Sequence, residues 1–184
     1  MKVIYGPAAI AAAVERLARA IARDHAGQPL VLLGVLKGAL YTTVDLARAI
    51  SRLADGPSEL YVDYLCAASY EGETSTGKVR LLLDAAVPLG GRRVLLVDDI
   101  ADNGLTLAHL RSFLEERGPS KLQTCALFDK PSRRTAELHL DYVGLTVADA
   151  FVVGYGLDYQ ENYRTLPYLA ELTNELTPSG GPRP

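Results

Sequence analysis

The feature that most constrains this chain is the run Leu30–Leu36, LVLLGVL, which has no polar side chain on either parity. A strand with one wet face alternates apolar and polar residues. An unbroken run of strand length therefore reads as a strand covered on both faces, as in a parallel sheet. Val94–Val97 repeats the pattern, and Leu122–Phe128 and Phe151–Val153 read as further strands. Leu60–Ala68 alternates imperfectly and reads as another, with Val79–Leu83 returning beside it. Helical spacing separates these runs. Ile10, Val14, Leu17 and Ile21 fall on one helical face, in a helix predicted to start near Pro7 and stop at Gly27. A second helix places Leu40, Val44, Ala47 and Ile50 inward and ends before Gly56-Pro57. A third carries Leu107, Leu110 and Leu114 and ends near Gly118-Pro119. Strands alternating with helices predict an α/β fold, a mainly parallel sheet flanked by helices.

Composition matters here for what it allows and excludes. At 184 residues one domain is expected, spanning 1–176, and 48% hydrophobic content permits a sizeable buried core. The tail TPSGGPRP, Thr177–Pro184, is expected to be disordered, and polar Ser69–Lys78, with Gly72 and Gly77, to be a mobile loop. A net charge of −3 offers no global attraction to nucleic acid or to an anionic membrane. No apolar run approaches the ~20 residues of a membrane helix. The opening MKVIYGP holds no hydrophobic signal core, so a cytoplasmic location is expected. Cys66 and Cys125 lie far apart in apolar stretches and match no ligand spacing. They read as buried free thiols of a reducing compartment.

The chemistry concentrates in VLLVDDIADNGLTL, Val94–Leu107. A buried strand ends in two acids, Asp98 and Asp99. A short loop of small and polar residues, Ala101–Gly104, follows, and Thr106 opens an amphipathic helix. Ligands of parallel α/β sheets bind beyond the carboxyl ends of the strands. Carboxylates there can accept hydrogen bonds from both hydroxyls of a ribose. A loop entering a helix N-terminus presents unpaired N–H groups and a favourable dipole to a phosphate. Gly104 permits close approach and a positive φ, and the Thr106 hydroxyl adds a donor unless it only caps the helix. No G-x-G-x-x-G follows a strand, so this is not the dinucleotide fingerprint.

This segment resembles the phosphoribosyl pyrophosphate motif of type I phosphoribosyltransferases. GVLKGAL at Gly34–Leu40, SY at Ser69–Tyr70, DKPSRR at Asp129–Arg134 and FVVGYGLDYQENYRTLP at Phe151–Pro167 resemble the hypoxanthine-guanine branch. The similarity runs from about Val3 to Leu172. The resemblance implies that family's fold, with a small hood subdomain beside the main sheet. It also implies Mg²⁺-dependent transfer of phosphoribose from phosphoribosyl pyrophosphate to hypoxanthine or guanine, giving IMP or GMP and pyrophosphate. A homodimer or homotetramer is implied, with no nucleic-acid or membrane partner.

Roles carry over by the same resemblance. Asp98 and Asp99 would bind the ribose hydroxyls and, with Asp158, Mg²⁺. Asp102 would be the general base near N7 of the purine. Asn103, Gly104, Leu105 and Thr106 would hold the 5-phosphate, mainly through main-chain N–H groups. Lys37 and Gly38 would meet the pyrophosphate after a cis peptide at Leu36–Lys37, and Arg164 would clamp it. Ser69 and Tyr70 would close over the site. Phe151 would stack on the purine and Val152 would offer backbone contacts. Lys130, a donor-only group, suits the carbonyl at C6 of a 6-oxopurine and opposes the amino group of adenine.

Two positions depart from the family pattern. Asn103 stands where the family usually has Thr, and Asp98 where the branch has Glu, one methylene longer. Both bear on the grip on the donor. Two other readings remain: xanthine or adenine preference, and a nucleic-acid-binding regulator on the same fold.

Overall fold

In chain order the elements are β1 (Lys2–Tyr5), α1 (Pro7–Asp24), β2 (Leu30–Leu36), α2 (Leu40–Ser51), β3 (Leu60–Ser69) and β4 (Val79–Leu83). There follow β5 (Arg93–Ala101), α3 (Leu105–Glu115), β6 (Lys121–Asp129), β7 (Tyr142–Thr146), β8 (Val152–Val153) and β9 (Leu169–Glu171). They are seen in a computed structural model that describes residues 1–69 and 79–173. The main sheet has six strands in the order β4-β3-β2-β5-β6-β7. All pairings are parallel except that of edge strand β4 with β3.

The apolar run of β2 is explained by two cores. Leu30 and Leu32 pack with α1 and α2 on one face. Val31, Leu33 and Val35 pack with α3 on the other. Neither parity meets water, and each fully buried aliphatic side chain contributes about 1.5–3 kcal/mol. In α1, Pro7 occupies the first turn, and Ile10, Val14, Leu17 and Ile21 are buried as their spacing predicts. The helix stops at Asp24, short of Gly27.

Four expectations are corrected. In α2 the buried residues are Thr42, Thr43, Leu46, Ala49 and Ile50, while Leu40 is exposed and Val44 and Ala47 are half-buried. The reason is Gly34 of β2. A Cβ there would collide with the Thr43 hydroxyl and the Tyr64 ring, so the helix rests its threonines directly on the strand. Second, β5 continues past Val97 to Ala101, because β6 pairs with it as far as Asp129. Asp98 and Asp99 therefore lie inside a strand, not beyond it. Third, β7, β1 and β9 carry no sequence signal strong enough to predict, being short or semi-polar. β1, β9 and β8 form a separate three-stranded antiparallel sheet, the small accessory layer implied by the resemblance. Fourth, Cys125 is buried but Cys66 only partly so. Burial pushes the Cys125 thiol up to about 12, which makes it inert.

Residues 70–78 and 174–184, where the mobile loop, Tyr70 and the disordered tail were expected, lie outside the described residues. Among the described residues no helix is long and apolar enough to cross a membrane.

His25, the C-cap of α1, is fully buried, and neither ring nitrogen has a hydrogen-bond partner among the described residues. Burial pulls its pKa below the ordinary value, and nearby Lys121 and Arg93 add to this. The unfolded chain then takes up the proton first as pH falls. This contribution to stability is present above the unfolded pKa, roughly 6.5, and is lost below it. Melting temperature should therefore fall between pH 7 and pH 5, and His25→Leu should flatten part of that fall. An unchanged slope in the variant would show that the imidazole is not the sensor.

Candidate active site

β2, β5 and β6 all end at the same edge of the sheet, where a cavity of about 560 Å³ opens. That size is within the range of small-molecule sites. Its wall brings together Gly38, Asp98, Asp99, Asp102, Asn103, Gly104, Thr106, Lys130, Phe151, Val152 and Asp158 from the sequence-predicted set. Lys37, Leu105 and Arg164 do not line it. Ser69 ends β3, and Tyr70 lies outside the described residues.

The floor is built around glycines in close contact with their neighbours. A Cβ at Gly38 would collide with the Asp99 carboxylate, and one at Gly156 with the Gly38 carbonyl. Gly156 also has φ +105°, which an L side chain rarely adopts. The loops after β2 and β8 therefore meet backbone to backbone, and the Asp99 side chain from β5 packs directly against Gly38. The Leu36–Lys37 peptide in that floor is cis.

The acid pair is held by its own strand. The Asp99 N–H donates to the Asp98 carboxylate (3.0 Å), and the Ile100 N–H donates to Asp99 Oδ1 (2.8 Å). Burial pushes both carboxyls up, and for Asp98 the neighbouring Asp99 adds repulsion. Two such groups call for hydroxyl donors or a cation. Among the described residues no three His, Cys, Asp or Glu side chains form a metal cluster. The oxygen-only donors Asp98, Asp99 and Asp158 nonetheless share the cavity and fit Mg²⁺, which takes much of its shell from water and substrate phosphate.

Where β5 gives way to α3, Gly104 is the N-cap residue with φ +83°, so Thr106 lies inside the helix and does not cap it. Asn103 Oδ1 accepts the Leu105 N–H at 2.9 Å. One amide expected to meet phosphate is thus already bonded, and the Leu105 side chain is exposed.

Across the cavity, Lys130 is only 3% exposed, and its N–H is anchored on the Ala101 carbonyl (3.0 Å). Burial pulls its ammonium below the ordinary lysine range, while Asp102 opposes the shift. Lys130 Nζ stands 3.9 Å from Asp102 Oδ2, and Arg133 Nε 3.4 Å from Asp102 Oδ1. That Oδ1 is buried with no hydrogen-bond partner among the described residues. The Asp102 side chain as a whole is 38% exposed and lines the cavity, so the rest of its carboxylate can be reached by a ligand and can accept a proton from it. Phe151 is braced edge-on by Tyr159, with ring centroids 5.7 Å apart.

Lys37 and Arg164 stand just outside this wall. Lys37 Nζ pairs with Glu161 (3.0 Å), while Arg164 pairs with Asp158 (2.7 Å) and donates to the Gly156 carbonyl (2.8 Å). The residues that sequence reasoning missed are Arg133 and Asp149, both on the cavity wall and 3.8 Å apart. The signal for Arg133 was present in DKPSRR, two basic residues just after Lys130. Asp149 carried none.

The phosphoribosyl transferase domain family matches residues 4–160. The hypoxanthine-guanine phosphoribosyltransferase of Streptococcus pneumoniae is 37% identical over 176 residues, covering 95% of this chain and 94% of that protein. The enzyme of the same name from Staphylococcus epidermidis is 40% identical over 157 residues, covering 85% and 84%. Among solved structures, the Trypanosoma cruzi hypoxanthine phosphoribosyltransferase in complex with its product IMP superposes with a TM-score of 0.89 at 36% identity, covering 96% of both chains. A Bacillus anthracis hypoxanthine-guanine phosphoribosyltransferase gives 0.87 at 38% identity, covering 94% of this chain and 99% of that one.

Proposed function

The chain belongs to the phosphoribosyl transferase family, and from that premise we propose how its cavity performs purine salvage. The enzyme transfers phosphoribose from phosphoribosyl pyrophosphate to hypoxanthine or guanine, forming IMP or GMP and pyrophosphate. The observation that carries the reading is one cavity holding the Asp98–Asp99 pair, the Gly104 loop, Lys130 and Asp102 together. Xanthine or adenine preference and a nucleic-acid regulator are not favoured by the relatives' activities, and the net charge of −3 also opposes the last.

Asp98 and Asp99 bind the ribose hydroxyls, and Asn103, Gly104 and Thr106 receive the 5-phosphate, the Leu105 amide being taken by Asn103. Phe151 stacks on the purine, Val152 supplies backbone contacts, and Lys130 donates to the oxygen at C6. Adenine would present an amino group there, leaving two donors opposed in a buried site. N9 attacks C1 of the sugar as the bond to pyrophosphate breaks, and Asp102 takes the proton from N7. Lys37, Gly38 and Arg164 receive the departing pyrophosphate. Asp158, Asp98 and Asp99 would hold Mg²⁺, which when bound would supply neutralisation of charge on that leaving group. Positioning and fixed charges carry most of the acceleration.

A cytoplasmic location fits a soluble substrate pair, the inert Cys125 and the free Cys66. Assembly as a homodimer or homotetramer belongs to the same reading and rests on the family resemblance.

The test offers hypoxanthine, guanine, xanthine and adenine in parallel with the pyrophosphate donor and Mg²⁺. Nucleotide is expected from the first two. No product from either would refute the reading. Asn103→Thr should keep turnover intact and shift donor KM only modestly, because a Thr hydroxyl can also accept the Leu105 N–H, though more weakly. A dead Thr variant would show that the loop has been misread.

A further inference from the structure

Arg134 lies outside the cavity wall, yet two of its three side-chain bonds reach the end of β5 and the loop that follows it. Its guanidinium pairs with the Asp129 carboxylate, both side chains being largely buried. It also donates to the Ala101 carbonyl (3.3 Å) and the Asp102 carbonyl (3.2 Å). The next carbonyl, of Asn103, is held from the same side by the N–H groups of Thr135 (3.0 Å) and Ala136 (3.1 Å). Three consecutive carbonyls are thus drawn toward the segment 134–136. In a planar trans peptide the C=O and N–H point in opposite directions. The N–H groups of Asp102, Asn103 and Gly104 are therefore turned away from Arg134, toward the side on which these residues line the cavity. A Cβ at Gly104 would lie 2.7 Å from Arg134 Cδ, so the glycine is also what lets Arg134 reach both carbonyls.

We propose that Arg134 is a positioning residue: it aims the amides of 102–104 at the 5-phosphate and locks that loop to the strand end carrying Lys130. The inference rests on the phosphate-loop reading above. Asp129 orients the guanidinium, and the Ala101 carbonyl is shared by Arg134 and the Lys130 N–H, so the donor side and the base side of the site move as one piece. Lysine cannot replace this grip, because one ammonium cannot span a carboxylate and two carbonyls as a planar fork does.

The test compares binding of IMP with binding of inosine, which lacks the phosphate, in wild type, Arg134→Gln, Arg134→Lys and Asp129→Asn. Arg134→Gln is expected to weaken IMP by about ten- to hundredfold, the loss typical of charged hydrogen bonds, and to leave inosine unchanged. Arg134→Lys and Asp129→Asn should fall between, with the same contrast, and serve if the Gln variant does not fold. Donor KM should rise with the IMP dissociation constant. A merely structural arginine would weaken both ligands alike or neither, and either outcome overturns the proposal. If wild type itself binds IMP and inosine equally, the phosphate-loop reading fails instead.

Discussion

Asp102→Asn is expected to lower kcat for nucleotide formation by about a hundredfold or more, the usual worth of a positioned general base, with a smaller fall in melting temperature because the buried Lys130 loses a counter-charge. The substitution keeps the side chain's shape and removes its basicity. Asp102 Oδ1 is buried without a hydrogen-bond partner among the described residues, so Asn leaves no established bond broken. The ion pair with Arg133 (3.4 Å) is partly exposed and adds little to folding, but the Lys130 ammonium (3.9 Å) is nearly buried, so losing its counter-charge costs some stability. What the variant loses is the acceptor for the proton on N7. The loss should appear in kcat and in single-turnover rates, with donor KM near wild type, because the sugar and phosphate contacts lie elsewhere. Turnover within a few-fold of wild type would remove Asp102 from the proton transfer and leave positioning alone to carry the rate.

Lys130→Met should have the second large effect, and in the opposite balance between stability and function. Burial already pulls the Lys130 ammonium below its ordinary pKa, which means the folded protein bears a cost for keeping that charge. Met has a similar length and no charge, so the melting temperature should hold or rise. Catalysis should suffer: kcat/KM for hypoxanthine should fall by about two orders of magnitude or more, because a buried carbonyl at C6 is left without its donor. Discrimination against adenine should weaken at the same time, since the opposing donor is gone. The ratio of initial rates with the two bases, beside a melting curve, reads both effects. Full hypoxanthine activity in the Met variant would mean that another group recognises C6.

The parts of this site that could be read from sequence share a physical property, which is that they are contiguous. Asp98 to Thr106 holds acid pair, turn glycine and helix start in one short stretch, so the local chain supplies the geometry by itself. The resemblance extended that reading to Lys130, Phe151 and Asp158, all of which line the cavity. It placed Lys37, Leu105 and Arg164 there too, and these three stand outside the wall. Lys37 and Arg164 are drawn aside by Glu161 and Asp158, and the Leu105 N–H is taken by Asn103. Such competition among neighbours depends on distances that spacing does not encode. Arg133 beside Asp102 and Arg134 behind the loop belong to the same class: the two basic residues were visible in DKPSRR, but their partners arrive from a different strand.

Read alone, the chain determined the α/β class, the two-sided burial of β2 and β5, the inward face of α1 and the place of the acid pair at the carboxyl edge of the sheet. These follow from the period of apolar residues, which is a local property. Tertiary structure decided what lacks a local period. The three- and four-residue strands β9 and β1 are too short to show alternation and exist because they pair with each other across the chain. β5 reaches Ala101 because β6 runs beside it that far. The buried face of α2 turned from Leu40 to Thr43 because Gly34 lets the helix settle onto the strand. Close contact of Gly38 with Gly156 and with the Asp99 carboxylate closes the floor of the site in the same way. A missing side chain in one element admits another element, and no single segment records which one comes.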